Sequence, residues 1–492
     1  MSSLAEAIGQ AAPSFTGQLL QPADARYDDC RRVHNGLIVR RPAAIARCRG
    51  VADIVDAVKL ARRLDLEVAV RGGGHSVAGH GTIDNGLLID LSPMKGIHVD
   101  VLARTARAQG GVLWRELNRE TQVHGLATTG GVVGSTGIAG LTLGGGLGWL
   151  MPKYGLALDN LRAADLVMAD GRVLRASADE NADLFWAIRG GGGNFGIAAS
   201  FEYTLHPVGP IITGGVVAHP LSRARDVLKF FRDTCAHLPD EMMLIAGLQT
   251  APDASNAKLV GVLAAHCGPL AQGEAAVRPL KTFGPPVLDA MGPIPYCALN
   301  TMLDPAFPKG ALNYWKAQFL TDLTDEAIRT LVQSFEACPS PMSHIIMEHF
   351  HGAASRVPVA DTACALRTTG FNVVIISQWT SADDTERCVA WARDTFSALT
   401  PYLATTRYLN YLEDDAADPA AVAYGPNLHR LRTLKAQLDP GNVFRRNVNI
   451  LPAEGHRPGS SREAGVQSEQ VGEPGVADRP PGRSRATGSR RP

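Results

Sequence analysis

The stretch Leu66-Glu-Val-Ala-Val-Arg-Gly-Gly-Gly-His-Ser76 decides the fold predicted for this chain. An apolar run with β-branched residues is typical of a strand, and this run stops at Arg71, where three glycines follow. Glycine lacks a Cβ, so these residues reach positive φ freely and leave their N–H groups open to a ligand. The stretch predicts a strand and then a loop that cradles a phosphate or pyrophosphate, with His75 against the ligand. A tight turn is the alternative for the glycines taken alone.

Length and composition indicate the class of protein. With 492 residues the chain is too long for one ordinary core, so we expect two or more domains. Hydrophobic residues make up 45% and charged residues 20%, which is the balance of a globular protein. The formal net charge of +0 favours neither nucleic acid nor an anionic membrane as a partner.

The eight cysteines are scattered without a Cys-x-x-Cys pair, which argues against a zinc site or a dense disulfide framework. We therefore expect no metal. The N-terminus lacks a basic start followed by a long apolar run, and no stretch of about 18 apolar residues occurs. We expect a soluble, cytoplasmic protein without a membrane anchor, although a non-standard export route stays open.

Strands and helices alternate around the glycine loop. The pattern predicts strands at residues 37–39, 66–70, 86–91 and 104–109, and helices at residues 51–64 and 112–121. The first helix has apolar residues at helical spacing and Lys59, Arg62 and Arg63 on its other face. Strand, helix, strand and glycine loop in this order are typical of an α/β beginning.

A second glycine-rich region spans residues 130–148. Each glycine costs roughly 0.5–1 kcal/mol relative to Ala in a helix or strand, so we expect this region to form neither. Val, Ile and Leu are interleaved too regularly for a flexible loop, and we interpret the region as backbone that wraps a ligand. Asp170-Gly171 then joins two apolar runs as a β-hairpin turn, and a further strand ends at Leu205-His-Pro207.

Residues 208–402 change to apolar strands mixed with helices. Strands are predicted at residues 214–218, 244–248, 259–265, 345–350 and 371–379, and helices at residues 224–236, 324–335 and 383–399. This pattern favours an α+β layer in which helices cover an antiparallel sheet. Further on, residues 427–438 are predicted to be helical and residues 439–442 to form a turn. Residues 454–492 are rich in Gly, Pro, Ser and Arg without aromatics, which predicts a disordered tail.

Four motifs in one order carry a family resemblance. They are Arg71-Gly-Gly-Gly-His-Ser76, Gly140-Leu-Thr-Leu-Gly-Gly-Gly146, Tyr154-Gly-Leu with Asp159-Asn-Leu161, and Phe185-Trp-Ala-Ile-Arg-Gly-Gly-Gly-Gly-Asn-Phe-Gly196. In this combination the chain resembles the berberine bridge enzyme-like FAD-linked oxidases, within the vanillyl-alcohol-oxidase or PCMH-type FAD-binding superfamily. Leu438-Asp-Pro-Gly-Asn-Val-Phe-Arg445 is similar to the closing segment of that family.

The resemblance implies an α+β fold with a two-part PCMH-type FAD-binding domain and a substrate domain whose antiparallel sheet is covered by helices. It assigns residues 1–207 to the FAD-binding domain, with a core at about 36–207, and residues 208–407 to the substrate-binding domain. Residues 408–452 would return to the FAD domain, and residues 453–492 would form the disordered tail.

The family resemblance also implies the cofactor and the residues that bind it. In that family a histidine carries FAD through the 8α-methyl group, and the matching residue is His75, whereas the flanks of His80 do not match. Many relatives attach the flavin a second time through a cysteine, but Val132-Val-Gly-Ser-Thr136 has none, which implies a single covalent bond. The implied cofactor-binding residues are Arg71, Gly72, Gly73, Gly74, His75, Ser76, Gly134, Ser135, Thr136, Gly137, Gly140, Leu141, Gly145, Gly146, Asn160, Ile197, Asn447 and Asn449.

Tyr408 and Tyr411 of the Tyr-x-Asn-Tyr element match catalytic tyrosines of the family. A phenol with a pKa of about 10 is a poor base at neutral pH, so we expect its site to lower that pKa through a cation or hydrogen bonds. Asn410 would face the opposite way if the segment is extended. Which tyrosine is the base stays open, as does the alternative that both only line the pocket. Some relatives use a glutamate elsewhere, and Glu413 is near but lies outside a matching motif.

The function implied is that of an FAD-linked oxidase. It would remove a hydride from an alcohol, sugar or secondary-metabolite carbon, and O2 would reoxidise the flavin to give H2O2. Thr136 matches the position that controls oxygen access in relatives, and its modest size favours an oxidase. The partners are then a small-molecule substrate and O2, with no nucleic acid and no membrane, while the oligomeric state stays open.

Three alternatives to this function are considered. The first is a flavin dehydrogenase that uses another acceptor, and the second is a non-catalytic flavin-binding protein. An NAD-dependent Rossmann enzyme is disfavoured, because no Gly-x-Gly-x-x-Gly opens a helix after the first strand with an acidic residue about 20 further on. The substrate is not determined, since the resemblance is weakest in the substrate domain. No role is assigned there to His349, His351, Gln378 or Trp379.

Overall fold

The computed structural model describes residues 15–253, 255–404, 406–413 and 418–454, together with Glu6 and Gln10. The first sheet has the strands β1 Gln18–Leu20, β2 Ala44–Arg47, β3 Val68–Arg71 and β4 Leu87–Asp90. They lie in the order β1-β2-β4-β3; β1 is antiparallel to β2, whereas β2 and β3 are parallel to β4. The helices of this part are α1 Tyr27–Arg31 and α2 Val51–Arg63.

Helix α2 carries the chain from β2 to β3, as the sequence predicts. Its buried residues Ile54, Ala57, Val58 and Ala61 recur at helical spacing and belong to one core cluster with the strands of the first sheet. The strand β3 ends at Arg71, directly before the three glycines. The predicted sequence of helix, strand and glycine loop is confirmed.

The strand predicted at residues 37–39 is wrong. A turn followed by irregular backbone occupies these positions, and the strand begins at Ala44 instead. The side chain of Ile38 packs on Gly79, where an added Cβ would lie 2.7 Å from Ile38 Cγ2, and Val39 is exposed. Three apolar residues do not reveal whether a partner strand lies beside them, because strand formation depends on tertiary context.

The second sheet is antiparallel. The next strands along the chain are β5 Ile97–Asp100, β6 Thr105–Gln109, β7 Leu126–Ala127, β8 Leu161–Val167, β9 Val173–Ser177, β10 Ile197–Thr204 and β11 His206–Pro207. The sheet has the order β5-β6-β10-β8-β9, and β7 pairs with β11 outside it. Gly171 has a φ of +88° in the turn between β8 and β9, so the predicted hairpin is confirmed.

A helix lies inside the second glycine-rich region, where the glycine content predicts none. The helices of this stretch are α3 Trp114–Gln122, α4 Ile138–Gly144, α5 Met151–Tyr154 and α6 Ala182–Ile188. In α4, Ile138 and Leu143 are buried in the same core cluster as Trp114, so tertiary packing outweighs the poor helix propensity of glycine. Directly after α4, Gly145 and Gly146 have φ values of +140° and +96°, and the irregular backbone expected of this region resumes.

The third sheet is the largest. Its strands are β12 Ile211–Pro220, β13 Met242–Thr250, β14 Lys258–His266, β15 Leu288–Asp289, β16 Gly292–Pro295, β17 Leu312–Leu320, β18 His344–Phe350 and β19 Gly370–Trp379. They pair antiparallel in the order β15-β12-β14-β13-β18-β19-β17, and β16 pairs with β12. The strands predicted for this region are confirmed, whereas β17 is absent from the prediction.

Helices pack on one face of the third sheet. The helices of this region are α7 Ala224–Cys235, α8 Leu270–Thr282, α9 Tyr296–Thr301, α10 Asp325–Glu336, α11 Ala353–Arg356 and α12 Thr385–Leu399. Phe231 of α7, Leu331 of α10 and Ala392 of α12 share an apolar core with alternate residues of β13, β18 and β19. The three predicted helices and the α+β fold class are confirmed, and α8 is an addition. The other face of the sheet packs in part on α9 and α11, through Leu299 and Ala354, and the rest of it lines a cavity.

The C-terminal segment packs against the first two sheets. It contains α13 Pro419–Tyr424 and α14 Leu428–Leu438, and the second of these confirms the predicted helix. Phe444 joins the core of the first sheet, and the backbone N of Ile450 donates to Asn194 Oδ1 at 3.0 Å. Of the predicted disordered tail only Ala453 and Glu454 belong to the described residues. Within the described part of the chain, no helix combines the length and apolar character that a bilayer crossing requires.

Candidate active site

One cavity joins the glycine loop after β3, the second glycine-rich region, the third sheet and the C-terminal segment. The predicted site residues that line it are Arg71, Gly72, Gly73, Gly74, His75, Ser76, Thr136, Gly137, Gly140, Leu141, Ile197, Tyr408, Tyr411 and Asn447. His80 lines it as well. Motifs that are far apart in the sequence therefore meet around a single space.

The two glycine loops touch each other. A Cβ added to Gly73 would lie 2.4 Å from the backbone N of Gly137, and a Cβ added to Gly137 would lie 2.4 Å from the N of Gly73. Both distances are far shorter than a van der Waals contact. Gly74 has a φ of +70°, which glycine adopts without strain. The glycines are therefore needed for a close backbone approach as well as for the shape of the loop.

His75 is fixed at the tip of its loop by two neighbours. Its Nε2 lies 2.9 Å from Ser135 Oγ, and its ring stacks on that of His34 with the centroids 3.9 Å apart. Burial, with smaller contributions from His34 and Arg115, lowers the pKa of His75 to about 3. The imidazole is therefore neutral at physiological pH and keeps a nitrogen lone pair. Ser135 lines a neighbouring cavity, which His75 also lines, and not the main one.

A buried ion pair holds the start of the glycine loop. Arg71 Nη2 lies 2.7 Å from Asp90 Oδ2, and Arg71 Nε donates to Oδ1 at 3.1 Å. Asp90 also accepts from Arg47 Nε and from the backbone N and hydroxyl of Ser92. Burial alone would raise the pKa of Asp90, but the Arg71 guanidinium and the Ser92 hydrogen bonds outweigh it and hold that pKa below its usual value. The Arg71 side chain thus positions the loop by binding Asp90.

Three further predicted residues, Gly134, Asn160 and Asn449, do not line the cavity. The backbone N of Gly134 donates to Asp304 Oδ1 at 2.6 Å. Asn160 Oδ1 lies 2.6 Å from His206 Nε2, and its amide group donates to two backbone carbonyls. Asn449 Oδ1 is buried without a hydrogen-bond partner among the described residues. The polar groups of Gly134 and Asn160 bind neighbouring loops.

Tyr408 is bound through its hydroxyl to the end of the second glycine-rich region. The oxygen accepts from the backbone N of Gly146 at 2.9 Å, from that of Leu147 at 3.1 Å and from Asn410 Nδ2 at 2.9 Å. A Cβ on Gly145 would lie 2.7 Å from Tyr408 Cε2, so the ring rests on this loop, and neither Gly145 nor Gly146 lines the cavity. Leu409–Tyr411 form a 3-10 turn and not an extended segment, so Asn410 lies beside Tyr408 and does not face away from it.

Tyr411 contacts a buried carboxylate that the motifs did not reveal. Its hydroxyl donates to Glu348 Oε1 at 3.3 Å, and Asn372 Nδ2 donates to Glu348 Oε2 at 2.6 Å. Burial raises the pKa of Glu348 to about 7, although these two hydrogen bonds act in the opposite direction. The acid stands inside the apolar strand β18, and this is the signal that identifies it, because Glu is almost never fully buried without a partner.

Neither tyrosine has the lowered pKa that the sequence analysis expects. Burial raises the pKa of Tyr408 to about 12 in spite of its three hydrogen bonds. Burial and then the charge of Glu348 raise the pKa of Tyr411 well above its usual value. The group with a pKa near neutrality is Glu348 instead. Glu413, the glutamate considered from the sequence, does not line the cavity and binds Lys316 at 2.8 Å.

One face of the third sheet, here called the cavity face, forms a wall of mainly apolar side chains. Its lining residues are Ile245, Gly247 and Gln249 of β13, Leu263 of β14, Trp315 of β17, His344 and Ile346 of β18, and Ile376 of β19. They occupy alternate positions along their strands, as side chains on one face of a sheet do. The four residues left without a role, His349, His351, Gln378 and Trp379, do not line the cavity.

The residues around the cavity fit FAD. Asn447 Oδ1 and Arg446 Nε are buried atoms of lining residues and have no hydrogen-bond partner within the described part of the chain. A polar ligand would satisfy them. A Cβ added to Gly140 would meet no atom within 4 Å, because this position faces open space. The glycine loop adds backbone of the kind that binds phosphate groups.

Known proteins resemble this chain over most of its length. The FAD binding domain family model matches residues 42–177, and the berberine and berberine-like model matches residues 407–451. (R)-6-hydroxynicotine oxidase of Paenarthrobacter nicotinovorans is 32% identical over 460 residues, covering 89% of this chain and 97% of that protein. An FAD-linked oxidoreductase of Dictyostelium discoideum is 31% identical over 420 residues, covering 85% of this chain and 90% of that protein. The crystal structure of 6-hydroxy-D-nicotine oxidase from Arthrobacter nicotinovorans matches with a TM-score of 0.82 at 29% identity. The match covers 89% of this chain and 99% of that chain.

The fold and the cavity define an FAD-binding oxidoreductase with a PCMH-type architecture. Its relatives are named as oxidoreductases and oxidases, which supports an enzyme over the non-catalytic alternative. The chain belongs to the berberine bridge enzyme-like family of FAD-linked oxidoreductases.

Proposed function

We propose that this enzyme is an oxidase that removes a hydride from a carbon of an alcohol, a sugar or a secondary metabolite and returns the electrons to O2 as H2O2. The observation that carries the proposal is the single cavity that reaches from the His75 loop to Tyr411. Such a cavity brings a cofactor and a substrate together, and the protein has only to hold and orient them. Tyr411 lines this cavity and donates to the buried Glu348, which offers a route for a substrate proton.

FAD, when bound, supplies the acceptor for the hydride. We propose that the two glycine loops, Ile197 and Asn447 hold it, since all of them line the cavity. His75 carries the single covalent bond to the 8α-methyl group in this proposal, because its neutral ring keeps a lone pair and because Ser135 and His34 fix its orientation. Residues 132–136 contain no cysteine for a second bond.

The remaining predicted cofactor residues receive a supporting role in the proposal. Gly134, Gly145, Gly146 and Asn160 hold the loops behind the cavity wall through the contacts described above. We also keep the proposed division into an FAD-binding domain at residues 1–207, a substrate-binding domain at residues 208–407 and a returning segment at residues 408–452.

Tyr411 and Glu348 form the proposed catalytic pair. The proton of a substrate hydroxyl or amine passes to the Tyr411 oxygen while the Tyr411 proton passes to a Glu348 oxygen. The substrate C–H bond breaks with its electron pair, which leaves as hydride, and the product is a carbonyl or an imine. Because the pKa of Glu348 is about 7, a large fraction of this residue is ionised at neutral pH and accepts the proton.

Tyr408 is a positioning residue in this proposal. Its oxygen already accepts three hydrogen bonds, from Gly146, Leu147 and Asn410, so it is less suited to accept a substrate proton. Its contacts tie the C-terminal segment to the second glycine-rich region. The sequence leaves open which tyrosine is the base, and we propose Tyr411.

Acid precipitation tests the cofactor part of the proposal. We expect the wild-type pellet to keep the yellow flavin, and the pellet of His75→Ala to lose it to the supernatant. His80→Ala is the matched control, because His80 lines the same cavity, and it should keep the flavin in the pellet. Flavin in the wild-type supernatant alone would contradict the covalent bond. A protein purified without any flavin would contradict the proposed function.

Peroxide formation tests the oxidase part. Thr136 lines the cavity and has a side chain of modest size, which supports access of O2. Enzyme that is bleached by a substrate under nitrogen should recover its colour on admission of air and release one H2O2 for each substrate oxidised. A bleached enzyme that stays reduced in air but recovers with an artificial acceptor would favour the dehydrogenase alternative.

A further inference from the structure

We infer that the substrate is an aromatic compound without a negative charge, with a single hydroxyl or amine group at the oxidised carbon, and that Trp315 selects it. This inference rests on the proposed function, because it concerns the substrate end of the same cavity. Of the substrate classes considered there, it excludes sugars, and it also excludes anionic compounds. Three features of the cavity face support it: the lack of cationic side chains in the described lining, the arrangement of rings and the scarcity of polar groups.

Among the described residues, no cationic side chain lines the substrate end of the cavity. Among the described residues that line the cavity, the charged ones are Arg71 and Arg446. Both belong to segments proposed to hold FAD, and Arg71 is already paired with Asp90. The cavity face contributes no Asp, Glu, Lys or Arg to the described lining, and burial keeps His344 neutral by lowering its pKa to about 4. An anionic substrate would lose its hydration there without gaining a cationic partner, and the Glu348 carboxylate bound to Tyr411 would repel it.

Aromatic rings surround the space beside Tyr411. Trp315 lies edge-on to Tyr411 with centroids 5.9 Å apart, and Phe307 lies 6.1 Å from Trp315 and 5.8 Å from His344. The single polar atom of Trp315, Nε1, donates to Asn313 Oδ1 at 3.1 Å. The indole therefore offers carbon surface to a ligand. Rings that meet at tilted angles form the kind of site in which a flat aromatic ligand packs edge-to-face and stacked.

Polar groups are too few on this wall for a sugar. The neutral polar side chains that the cavity face contributes to the described lining are Gln249 and His344, and the hydroxyl of Tyr411 is engaged with Glu348. A sugar buries several hydroxyl groups, and each of them needs a hydrogen-bond partner when it leaves water. One hydroxyl or amine directed at Tyr411 finds a hydrogen-bond partner there. The remaining hydroxyl groups of a sugar would find none on this wall. Ile245, Ile346 and Ile376 surround the site with hydrocarbon instead.

Ligand titrations of the holoenzyme under nitrogen test the inference. The probes are benzyl alcohol, its para-carboxylate analogue and cellobiose, which differ in charge and in polarity. Binding is read from the shift of the flavin absorption band, and reduction is read separately from its bleaching. We expect benzyl alcohol to bind about tenfold more tightly than either of the other probes.

Variants of Trp315 connect the preference to the residue. Trp315→Ala should weaken benzyl alcohol binding about tenfold, whereas Trp315→Phe, which keeps an aromatic ring, should stay within about threefold of the wild type. Trp391→Phe is the control, because Trp391 lies on α12 in the core between that helix and the sheet, and its Nε1 binds Ser334 O. It should bind all probes as the wild type does.

The outcomes separate the inference from the proposed function. Tighter binding of cellobiose, equal binding of the carboxylate analogue, failure of benzyl alcohol to bind, or an unaffected Trp315→Ala would overturn the substrate class. Bleaching by cellobiose would overturn it while leaving the proposed function intact. Benzyl alcohol that binds with the expected preference, in an enzyme whose flavin no compound reduces, would support the aromatic site and contradict the oxidase function.

Discussion

The hydroxyl of Tyr411 lies 3.3 Å from Oε1 of Glu348, and the two residues come from separate parts of the chain, the C-terminal segment and strand β18. The second carboxylate oxygen accepts from Asn372 Nδ2 at 2.6 Å, which holds the acid in place. Burial raises the pKa of Glu348 to about 7. A base is most effective when its pKa is near the working pH, so this carboxylate is suited to accept a proton at neutral pH.

Replacement of Glu348 by Gln should remove the proton acceptor while keeping the shape of the side chain. We expect the rate of flavin reduction at pH 8 to fall by about 10²–10³-fold. The ionised form is the active one, so the wild-type rate should rise with pH through about pH 7, and Glu348→Gln should lose this rise. Stopped-flow bleaching under nitrogen at a series of pH values measures both effects.

The control for Glu348 is Glu413→Gln, since Glu413 is also buried and has a raised pKa but pairs with Lys316 away from the cavity lining. It should keep the wild-type rate and pH profile. An unchanged pH profile in Glu348→Gln would show that another group accepts the proton.

The two tyrosines should respond differently to loss of the hydroxyl. Tyr411→Phe removes the group that contacts Glu348 and should slow flavin reduction about 100-fold or more. Tyr408→Phe leaves three N–H donors without their acceptor and should lower the free energy of unfolding by about 1–3 kcal/mol. The rate of flavin reduction in Tyr408→Phe should fall less than that in Tyr411→Phe. Thermal unfolding measures the stability of both variants, and stopped-flow bleaching measures their rates. A slower rate in Tyr408→Phe than in Tyr411→Phe would indicate that Tyr408 is the base.

The ion pair beneath the glycine loop should stabilise the protein in a pH-dependent way. Asp90→Asn leaves the Arg71 guanidinium without its carboxylate partner and should lower the free energy of unfolding by about 3–5 kcal/mol at pH 7. The folded protein holds the pKa of Asp90 below its unfolded value of about 3.9. The stabilisation is therefore present above about pH 4 and is lost as the pH falls through the folded pKa.

Unfolding midpoints at pH 7, at pH 4 and at about pH 3 should thus give a gap between wild type and Asp90→Asn that is nearly constant above about pH 4 and narrows below it. Asp165→Asn is the comparison, because Asp165 pairs with the partly exposed Arg107 and Arg175, and an exposed pair contributes about 0–1 kcal/mol. An equal decrease in the free energy of unfolding in Asp90→Asn and Asp165→Asn would contradict a greater stabilisation by the buried pair of Arg71 and Asp90.

A methyl group at Gly73 should separate the two glycine loops. The added Cβ would lie 2.4 Å from the backbone N of Gly137, and backbone has to move to relieve this contact. We expect Gly73→Ala to cost about 1–3 kcal/mol of stability and to lower the flavin content of the purified protein. The ratio of flavin to protein absorbance measures the second effect. Gly292→Ala, whose Cβ would meet no atom within 4 Å, should match the wild type.

Local signals in the sequence predicted much of the fold. Apolar residues at helical spacing identified α2, Asp170-Gly171 identified the hairpin between β8 and β9, and the run before Arg71 identified β3. Each of these depends on residues close together in the chain. The same kind of reasoning was wrong for residues 37–39, where Ile38 packs on a loop instead of pairing in a sheet, and for α4, whose glycines lie in a helix held by core packing.

Strand β17 and the acid of β18 show what local signals leave out. Polar residues such as Lys316 alternate with Trp315 and Ala317 along β17, so the strand lacks the apolar run by which its neighbours were found. In β18, Glu348 looks like an ordinary polar interruption until the fold buries it against Tyr411. The pairing of β17 in the sheet and the contact of Glu348 with Tyr411 both depend on strands and segments that lie far away in the sequence.

The sequence by itself determined the family, the glycine loop that we propose to hold FAD and the pair of candidate tyrosines, because motifs and glycine-rich turns are read from short stretches of chain. Only the tertiary structure decided that Tyr411 meets Glu348 while Tyr408 binds the loop at Gly146. It also decided which side chains of the third sheet face the cavity. A carboxylate's pKa and a cavity wall depend on burial and on distances between remote segments, and these come into existence only when the chain is folded.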